Sequence, residues 1–251
     1  PLSTAGMMIE DRTRTYTIAM ERTVVPENFS FRMTDEEYRV LEKIKNSIPV
    51  CYLADHADFA LGIVTGNNKK FLSAEKTEHS EMVLKGTDIC KYHINPAKQY
   101  LRFEPEQFQQ VAPLEIYRAP EKLLYRFISN QLVVAYDDRQ MLSLNSCNIV
   151  IPKIEGMQIK YILAILNSSV SQFVYQKEFH SIKVLRAHME HIPIPRVGKA
   201  IQNEIIAMTE PLICGMGKEA AETCQKRLDG RIMDLFRLSA EEQWIIRHAL
   251  H

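Results

Sequence analysis

Apolar residues along the chain fall into three patterns, and each predicts a different kind of element. Residues 1–33 hold no sustained period, which predicts an extended lead-in. From Thr34 the period becomes helical, and in TDEEYRVLEKIKNSIP the residues Tyr38, Leu41, Ile44 and Ile48 share one face. Thr34 and Glu37 are spaced for a reciprocal cap of that helix. Pro49 ends it, because proline has no N–H to donate and its ring collides with the preceding turn.

From residue 50 to 152 the apolar runs are short and separated by turn residues: VCYL, FALGIV, MVLKG, ICKYHI, YLRFE, KLLYRFI, LVVAYD and SLNSCNIVI. That spacing predicts β-structure. In LLYRFISNQLVVAYDD, the residues Ser129, Asn130 and Gln131 separate two runs rich in aromatic and β-branched side chains, which predicts a hairpin. Helical period returns in MQIKYILAILNSSVSQFVYQKEF, where Ile159, Ile162, Leu163, Leu166, Val170 and Phe173 predict one long helix. The extended HIPIP, 191–195, marks a boundary. Beyond it AIQNEIIAMTEPLI, EAAETCQKRLDGRIMDLF and SAEEQWIIRHAL are helical, the last opened by a second capping pair, Ser239 and Glu242.

These patterns predict an α+β chain in three parts. They are an extended lead-in and helix over 1–49, a curved, mostly antiparallel β-domain with helical insertions over 50–198, and a small helical bundle over 199–251. There is no internal repeat. The apolar faces of the outer helices, including Tyr38, Leu41, Ile44, Trp244, Ile245 and Ile246, are expected to build core.

Composition narrows the function classes. An apolar content of 46% supports a packed core. Lys+Arg and Asp+Glu both number 31, so attraction to nucleic acid must come from a local patch and not from the whole molecule. Cys51, Cys90, Cys147, Cys214 and Cys224 are scattered without a CxxC pair, which argues against a disulfide framework or zinc site and for a reducing, cytoplasmic compartment. No apolar run reaches the ~20 residues that span a bilayer. YILAIL is closed by Asn167, Ser168 and Ser169, and residues 1–16 lack the pattern of a signal peptide. The chain begins at Pro1, from which a processed product or a piece of a longer protein is expected.

Catalytic constellations are sparse. GMGKEA, 215–220, has the letters of a dinucleotide fingerprint but no strand before it, so it reads as a break between helices. NPAK, 95–98, lacks the second proline and aromatic that grip a flipped base, and no Pro-Asp pair exists for a metal-dependent nuclease. His188 and His191 fit packing or surface roles. Asp137 and Asp138 read as turn formers, with a metal-dependent hydrolase as a remote alternative.

Contact chemistry is richer. Thr65, Gly66, Asn67, Asn68, Lys69 and Lys70 offer backbone donors, amides and positive charge in succession, and amides pair with adenine edges. Arg118, Lys122 and Arg126 recur at spacing four, with Tyr117 and Tyr125 interleaved. Between 153 and 200, Lys153, Lys160, Lys177, Lys183, Arg186, Arg196 and Lys199 outnumber Glu155, Glu178 and Glu190. Two readings are open: a local DNA-contacting face, or the solvated surface of an interaction or assembly module without DNA contact.

In order along the chain, ALGIVTGNNKKFL, VLKGTDICKY, EIYRAPEKLLYRF, LVVAYDD, SLNSCNIVIP, YILAILNSSVSQFVY and HIPIPRV resemble the C-terminal target-recognition domain of TaqI-like adenine-N6 DNA methyltransferases. The same domain occurs in fused type II restriction-modification enzymes. The resemblance covers roughly residues 50 to 198, and LDGRIMDLFRLSAEEQWII resembles the helical ending of those proteins. It implies a specificity module for double-stranded DNA with no catalytic residue, metal site or cofactor of its own. S-adenosylmethionine and methyl transfer are then expected in an upstream methyltransferase domain of the parent protein, which lies outside this chain along with its glycine-rich and Asn-Pro-Pro motifs. The expected contacts are a reading loop of Thr65, Gly66, Asn67, Asn68, Lys69 and Lys70, with Lys85, Arg118, Lys122, Arg126 and Ser146 nearby.

Overall fold

A computed structural model describes residues 6–10, 15–19, 33–179 and 181–250. Within the expected lead-in, β1 (Gly6–Glu10) and β2 (Thr15–Ala19) pair antiparallel, Gly6 opposite Ala19; the remainder of that segment up to residue 32 lies outside the described residues. Helix α1 (Asp35–Asn46) starts at the anticipated cap. Thr34 N donates to the Glu37 carboxylate at 2.9 Å, and Glu37 N donates to Thr34 Oγ1 at 3.1 Å. Val40, Leu41 and Ile44 are buried on its inner face.

The β-rich stretch opens with β3 (Val50–Cys51) and β4 (Ala57–Ala60). One turn of helix, α2 (Asn68–Phe71), leads into β5 (Leu72–Ser73), β6 (Glu81–Leu84) and β7 (Tyr100–Leu101). A second single turn, α3 (Leu114–Tyr117), precedes β8 (Lys122–Arg126), β9 (Val134–Asp137), β10 (Leu142–Ser143) and β11 (Cys147–Pro152). Four strands form an antiparallel sheet in the order β4-β11-β8-β9, which contains the expected hairpin as β8–β9. A second sheet runs β10-β6-β7-β5. Its β10–β6 pair is parallel while its other ladders are antiparallel.

Side chains alternate across the first sheet, and both faces are covered. Leu123, Tyr125, Val134 and Val150 join a core shared with the helices. Leu124, Ala135, Cys147 and Ile149 join a smaller core under the second sheet, with Ile63, Leu84, Leu101 and Leu142.

Where one long helix is expected there are two, α4 (Ile159–Asn167) and α5 (Ser169–Glu178). Ser168 between them is extended, with φ −67° and ψ 158°. Its hydroxyl donates to Ile165 O at 2.7 Å and accepts from Ser171 N at 3.3 Å, closing one helix and opening the next. The break lets two amides meet the edge of β9. Val134 N donates to Asn167 Oδ1 at 3.1 Å while Asn167 Nδ2 donates to Val134 O at 2.8 Å. Gln172 does the same for Leu132, at 2.9 and 3.0 Å. Leu132 and Val134 are fully buried, so these bonds satisfy backbone groups that water cannot reach, with Val134 O accepting from Tyr92 N as well at 2.7 Å.

After α6 (Arg186–Glu190) comes β12 (Ile194–Pro195), the segment read as a boundary. It pairs antiparallel with β3, Ile194 opposite Cys51 and Pro195 opposite Val50. The chain closes with α7 (Lys199–Ile213), α8 (Lys218–Leu235) and α9 (Ala240–Ala249). The glycine-rich break between α7 and α8 is where it was expected, with Gly215 at φ +77°. Helix α9 carries the Ser239–Glu242 capping box. Ile205, Leu228, Ile232 and Ile246 from these helices enter the same core as Val40 and Leu163. The fold is α+β, as the pattern predicts, and no described helix is long and apolar enough to cross a membrane.

Candidate nucleic-acid interface

The turn joining β10 to β11, Leu144–Cys147, sits between two loops because two glycines let it approach. A Cβ on Gly62 would stand 2.1 Å from Leu144 O, and one on Gly86 would stand 2.5 Å from Ser146 O. Both contacts are with backbone, so a side chain would displace the turn. On one flank Asn145 N donates to Ile63 O at 3.1 Å. On the other, Gly86 N donates to Ser146 Oγ at 3.0 Å, and Phe127 N donates to Ser146 O at 3.0 Å. Thr65–Lys70, Asn145–Ser146 and Lys85–Asp88 are thus neighbours at one end of the β-layer.

The 65–70 segment is not the open loop expected. Gly66 takes φ +76°, Asn67 caps α2 by accepting from Lys70 N at 3.3 Å, and Asn68, Lys69 and Lys70 lie within that turn of helix. Thr65 is buried, and its hydroxyl donates to Asn68 Oδ1 at 2.6 Å, while the Asn68 NH₂ has no partner among the described residues. Gly66 to Lys70 are exposed. Lys70 Nζ lies 3.4 Å from Gln107 Oε1 and 4.6 Å from the centre of the Phe71 ring, whereas Lys69 has no partner among the described residues.

Two clefts flank the turn. The first, about 240 Å³, is walled by Thr65, Gly66, Asn68, Gln109 and Asn145. The second, about 460 Å³, is walled by Lys85, Thr87, Asp88, Asn95, Lys98 and Gln99. Asp88 holds the second in shape by accepting from Lys85 N at 2.8 Å. Gln99 Oε1 is buried there with no hydrogen-bond partner among the described residues, an acceptor that a ligand donor could satisfy. Gln109, Asn145, Lys98 and Gln99 are absent from the sequence-based set. Asn145 could have been found from its place beside Ser146 in a turn, but Gln109 and Gln99 come from connections with no local signal.

The arginine and lysine series at spacing four does not form a stripe. Strand β8 runs from Lys122 to Arg126, so the two are separated by about 13 Å. Arg126 Nε donates to Gly86 O at 2.9 Å and its Nη2 to Ile89 O, which makes it a brace beneath the second cleft. Arg118 lies at the other end of β6, donating to Glu81 Oε1 and Gln140 O at 2.6 Å each. Lys122 is a correction to the expected contact set. Its side chain is 0% exposed, with Nζ 2.6 Å from Asp137 Oδ2 and 2.6 Å from Tyr117 O. Burial lowers its pKa, and Asp137 opposes that shift. Asp137 also accepts from Arg139 N and Met141 N at 2.9 Å each, so its carboxylate is committed to this interior network and to the turn. His188 is likewise structural: its Nδ1 accepts from Leu185 N at 3.2 Å, and its ring stacks on Phe179 at 4.4 Å.

Residues 81–194 match the family of TaqI-like C-terminal specificity domains. The matched segment covers a little under half of the chain. It holds the second cleft, the central turn, β6 to β11 and the first residue of β12. The 62–70 segment of the first cleft lies ahead of it and is joined to it by the bond from Asn145 N to Ile63 O. Among solved structures, the type IIL restriction-modification enzyme MmeI, determined in complex with DNA, aligns with a TM-score of 0.52 at 11% identity. That alignment covers 82% of this chain and 37% of that one, and the two share a fold. The type IIG restriction endonuclease BpuSI aligns with a TM-score of 0.45 at 10% identity, over 89% of this chain and 35% of that one. The HsdS subunit from Thermoanaerobacter tengcongensis gives 0.42 at 14%, over 86% and 50%. This chain spans half or less of the length of each. No curated protein matches it.

Proposed function

We propose that the specificity domain and its flanking helices select a sequence in double-stranded DNA on behalf of a restriction-modification enzyme. The parent is an adenine-N6 methyltransferase, with or without a fused nuclease, acting in the cytoplasm. S-adenosylmethionine and the transferring groups belong to a separate upstream domain, and this chain contributes no catalytic residue or metal of its own. The observation that carries the reading is the pairing of an amide-lined cleft, next in sequence to the exposed Lys69 and Lys70, with an amide- and lysine-lined cleft on the other side of the Asn145–Ser146 turn.

Those groups suit a division of labour on a duplex. Lys69, Lys70, Lys85 and Lys98 supply the charge for phosphates, which sets register without reading sequence. The amides of Asn68, Gln109 and Asn145 supply donors and acceptors for base edges, of the kind that pair bidentately with adenine. Asn67, Arg126 and Ser146 hold the loops, while Arg118 and Lys122 are spent on structure. An enzyme that rotates adenine out of the helix, at a cost of a few kcal/mol, needs the duplex held from another side. A neutral chain with a local cationic patch leaves discrimination to base contacts, since nonspecific affinity grows with each phosphate neutralised.

Fluorescence anisotropy with duplex DNA at two salt concentrations tests this. Affinity should fall with salt, and Lys69→Glu with Lys70→Glu should reduce the slope of log K against log [salt] by roughly 2, about 0.9 for each phosphate that is no longer neutralised. Binding that ignores salt, or survives the double change intact, would instead favour an assembly module whose Lys-Asn turn only meets solvent.

A further inference from the structure

A separate cavity of about 470 Å³ lies on the helical side of β9, where α5, α8 and α9 meet the loop before Tyr92 and the tip of the β8–β9 hairpin. Its volume falls in the range of small-molecule sites, roughly 300–1,000 Å³. Lys91, Lys226 and Arg247 face it against one carboxylate, Asp229. We propose that this cavity binds a small phosphate-bearing ligand of mononucleotide size that also carries hydroxyl or amino donors.

The charges in the cavity attract one another without closing into an ion pair among the described residues, and Arg247 Nη2 donates to Gln243 Oε1 at 3.1 Å. Lys91 Nζ donates to the carbonyl of Asn167 at 3.2 Å, and no carboxylate among the described residues pairs with it. Asp229 accepts from Ser169 N at 2.9 Å and from Ser169 Oγ at 2.7 Å. Burial pushes the Lys91 pKa down, opposed by attraction to Asp229, and pushes the Asp229 pKa up, opposed by its bonds to Ser169 and by attraction to Lys91 and Arg247. Both groups are therefore desolvated without a mutual ion pair, an arrangement that costs stability until something completes it. Lys226 is exposed and has no partner among the described residues, and the side-chain amides of Gln131 and Gln176 are equally free.

The donor set specifies the chemistry. Two ammonium groups and a guanidinium favour phosphate oxygens. Asp229 retains lone pairs that only a donor can use, and the glutamines can serve donors or acceptors. A nucleoside monophosphate offers an anion at one end and hydroxyl and amino donors at the other. A DNA backbone offers only acceptors, which leaves the Asp229 lone pairs unused. The site is thus distinct from the two clefts around Ser146, and its occupancy does not depend on their role.

Isothermal titration of the 251-residue chain with AMP, adenosine and inorganic phosphate tests the proposal. AMP should bind one to one, with adenosine and inorganic phosphate each weaker by about tenfold or more. Lys226→Glu, at an exposed position with no partner among the described residues, should leave the melting temperature unchanged and weaken AMP by about tenfold. Lys91→Met should weaken it further. The proposal is overturned if AMP does not bind, if Lys226→Glu leaves its affinity intact, if inorganic phosphate alone binds as tightly, or if a short duplex displaces AMP.

Discussion

Replacing Lys122 by Met separates an interior ion pair from a DNA contact. The ammonium is fully enclosed, 2.6 Å from Asp137 Oδ2, and a second hydrogen bond ties it to Tyr117 O. Methionine matches its length and removes the charge, leaving a carboxylate with 0% exposure and, among the described residues, two backbone donors, Arg139 N and Met141 N. Breaking a buried pair from one side costs about 3–5 kcal/mol. For a chain of this size each kcal/mol moves the melting temperature by roughly 2–4 °C, so the variant should melt roughly 6–20 °C lower. Adding Asp137→Asn removes the stranded charge while keeping an acceptor for the turn. The double variant should therefore lose less than the sum of the single changes. Circular dichroism melts give the stability, and anisotropy well below the melting point gives duplex affinity, which should stay within about twofold of the parent. A Lys122→Met protein that melts normally but loses DNA binding would place the ammonium on the nucleic acid and refute this account.

Gly86→Ala should cost about 1–3 kcal/mol by forcing the Ser146 carbonyl away, and should weaken duplex binding through the displaced turn; wild-type melting and affinity would refute the close approach. Asn145→Ala should lose about 1–3 kcal/mol of discrimination between the cognate duplex and one changed at the contacted pair, with little change in nonspecific affinity, as competition anisotropy would report. His188 gives a pH signature. Burial lowers its folded pKa, and protonation would also abolish the Nδ1 acceptor for Leu185 N. The unfolded chain therefore takes up the proton first, near the ordinary value of about 6.5. Stability should be full above that pH and fall as pH drops toward the folded value. Melts between about pH 7 and 5 should show this slope, and His188→Asn should flatten it.

Elements whose signals are local were legible. The Thr34–Glu37 and Ser239–Glu242 caps lie three residues apart, and the β8–β9 hairpin depends on a short turn between two β-prone runs. The break at Ser168 was not legible, because apolar period continues through it and its cause lies elsewhere: Asn167 is bonded to Val134, 33 residues earlier. The pairing of β12 with β3 joins segments more than 140 residues apart and leaves no trace in either. Around the candidate interface, composition drew attention to Asn68, Lys69 and Lys85, whose types advertise contact chemistry. Lys122 misled because a lysine at a regular spacing looks the same whether it faces solvent or an aspartate fifteen positions on. Gly62 and Gly86 carry no such sign, because the need for a missing side chain appears only when another strand is laid against it.

The ladder between β3 and β12 has a practical corollary. Val50 and Pro195 are cross-strand neighbours, and Arg196 N donates to Pro49 O at 2.9 Å, so the polypeptide enters and leaves the intervening 140-odd residues at a single seam. A segment tethered this way resembles a cartridge, whose exchange alters what is read while both flanking strands keep their spacing. A chimera cut at that seam, carrying the equivalent stretch of another specificity domain, should preserve the helical scaffold and take on the donor's choice of sequence.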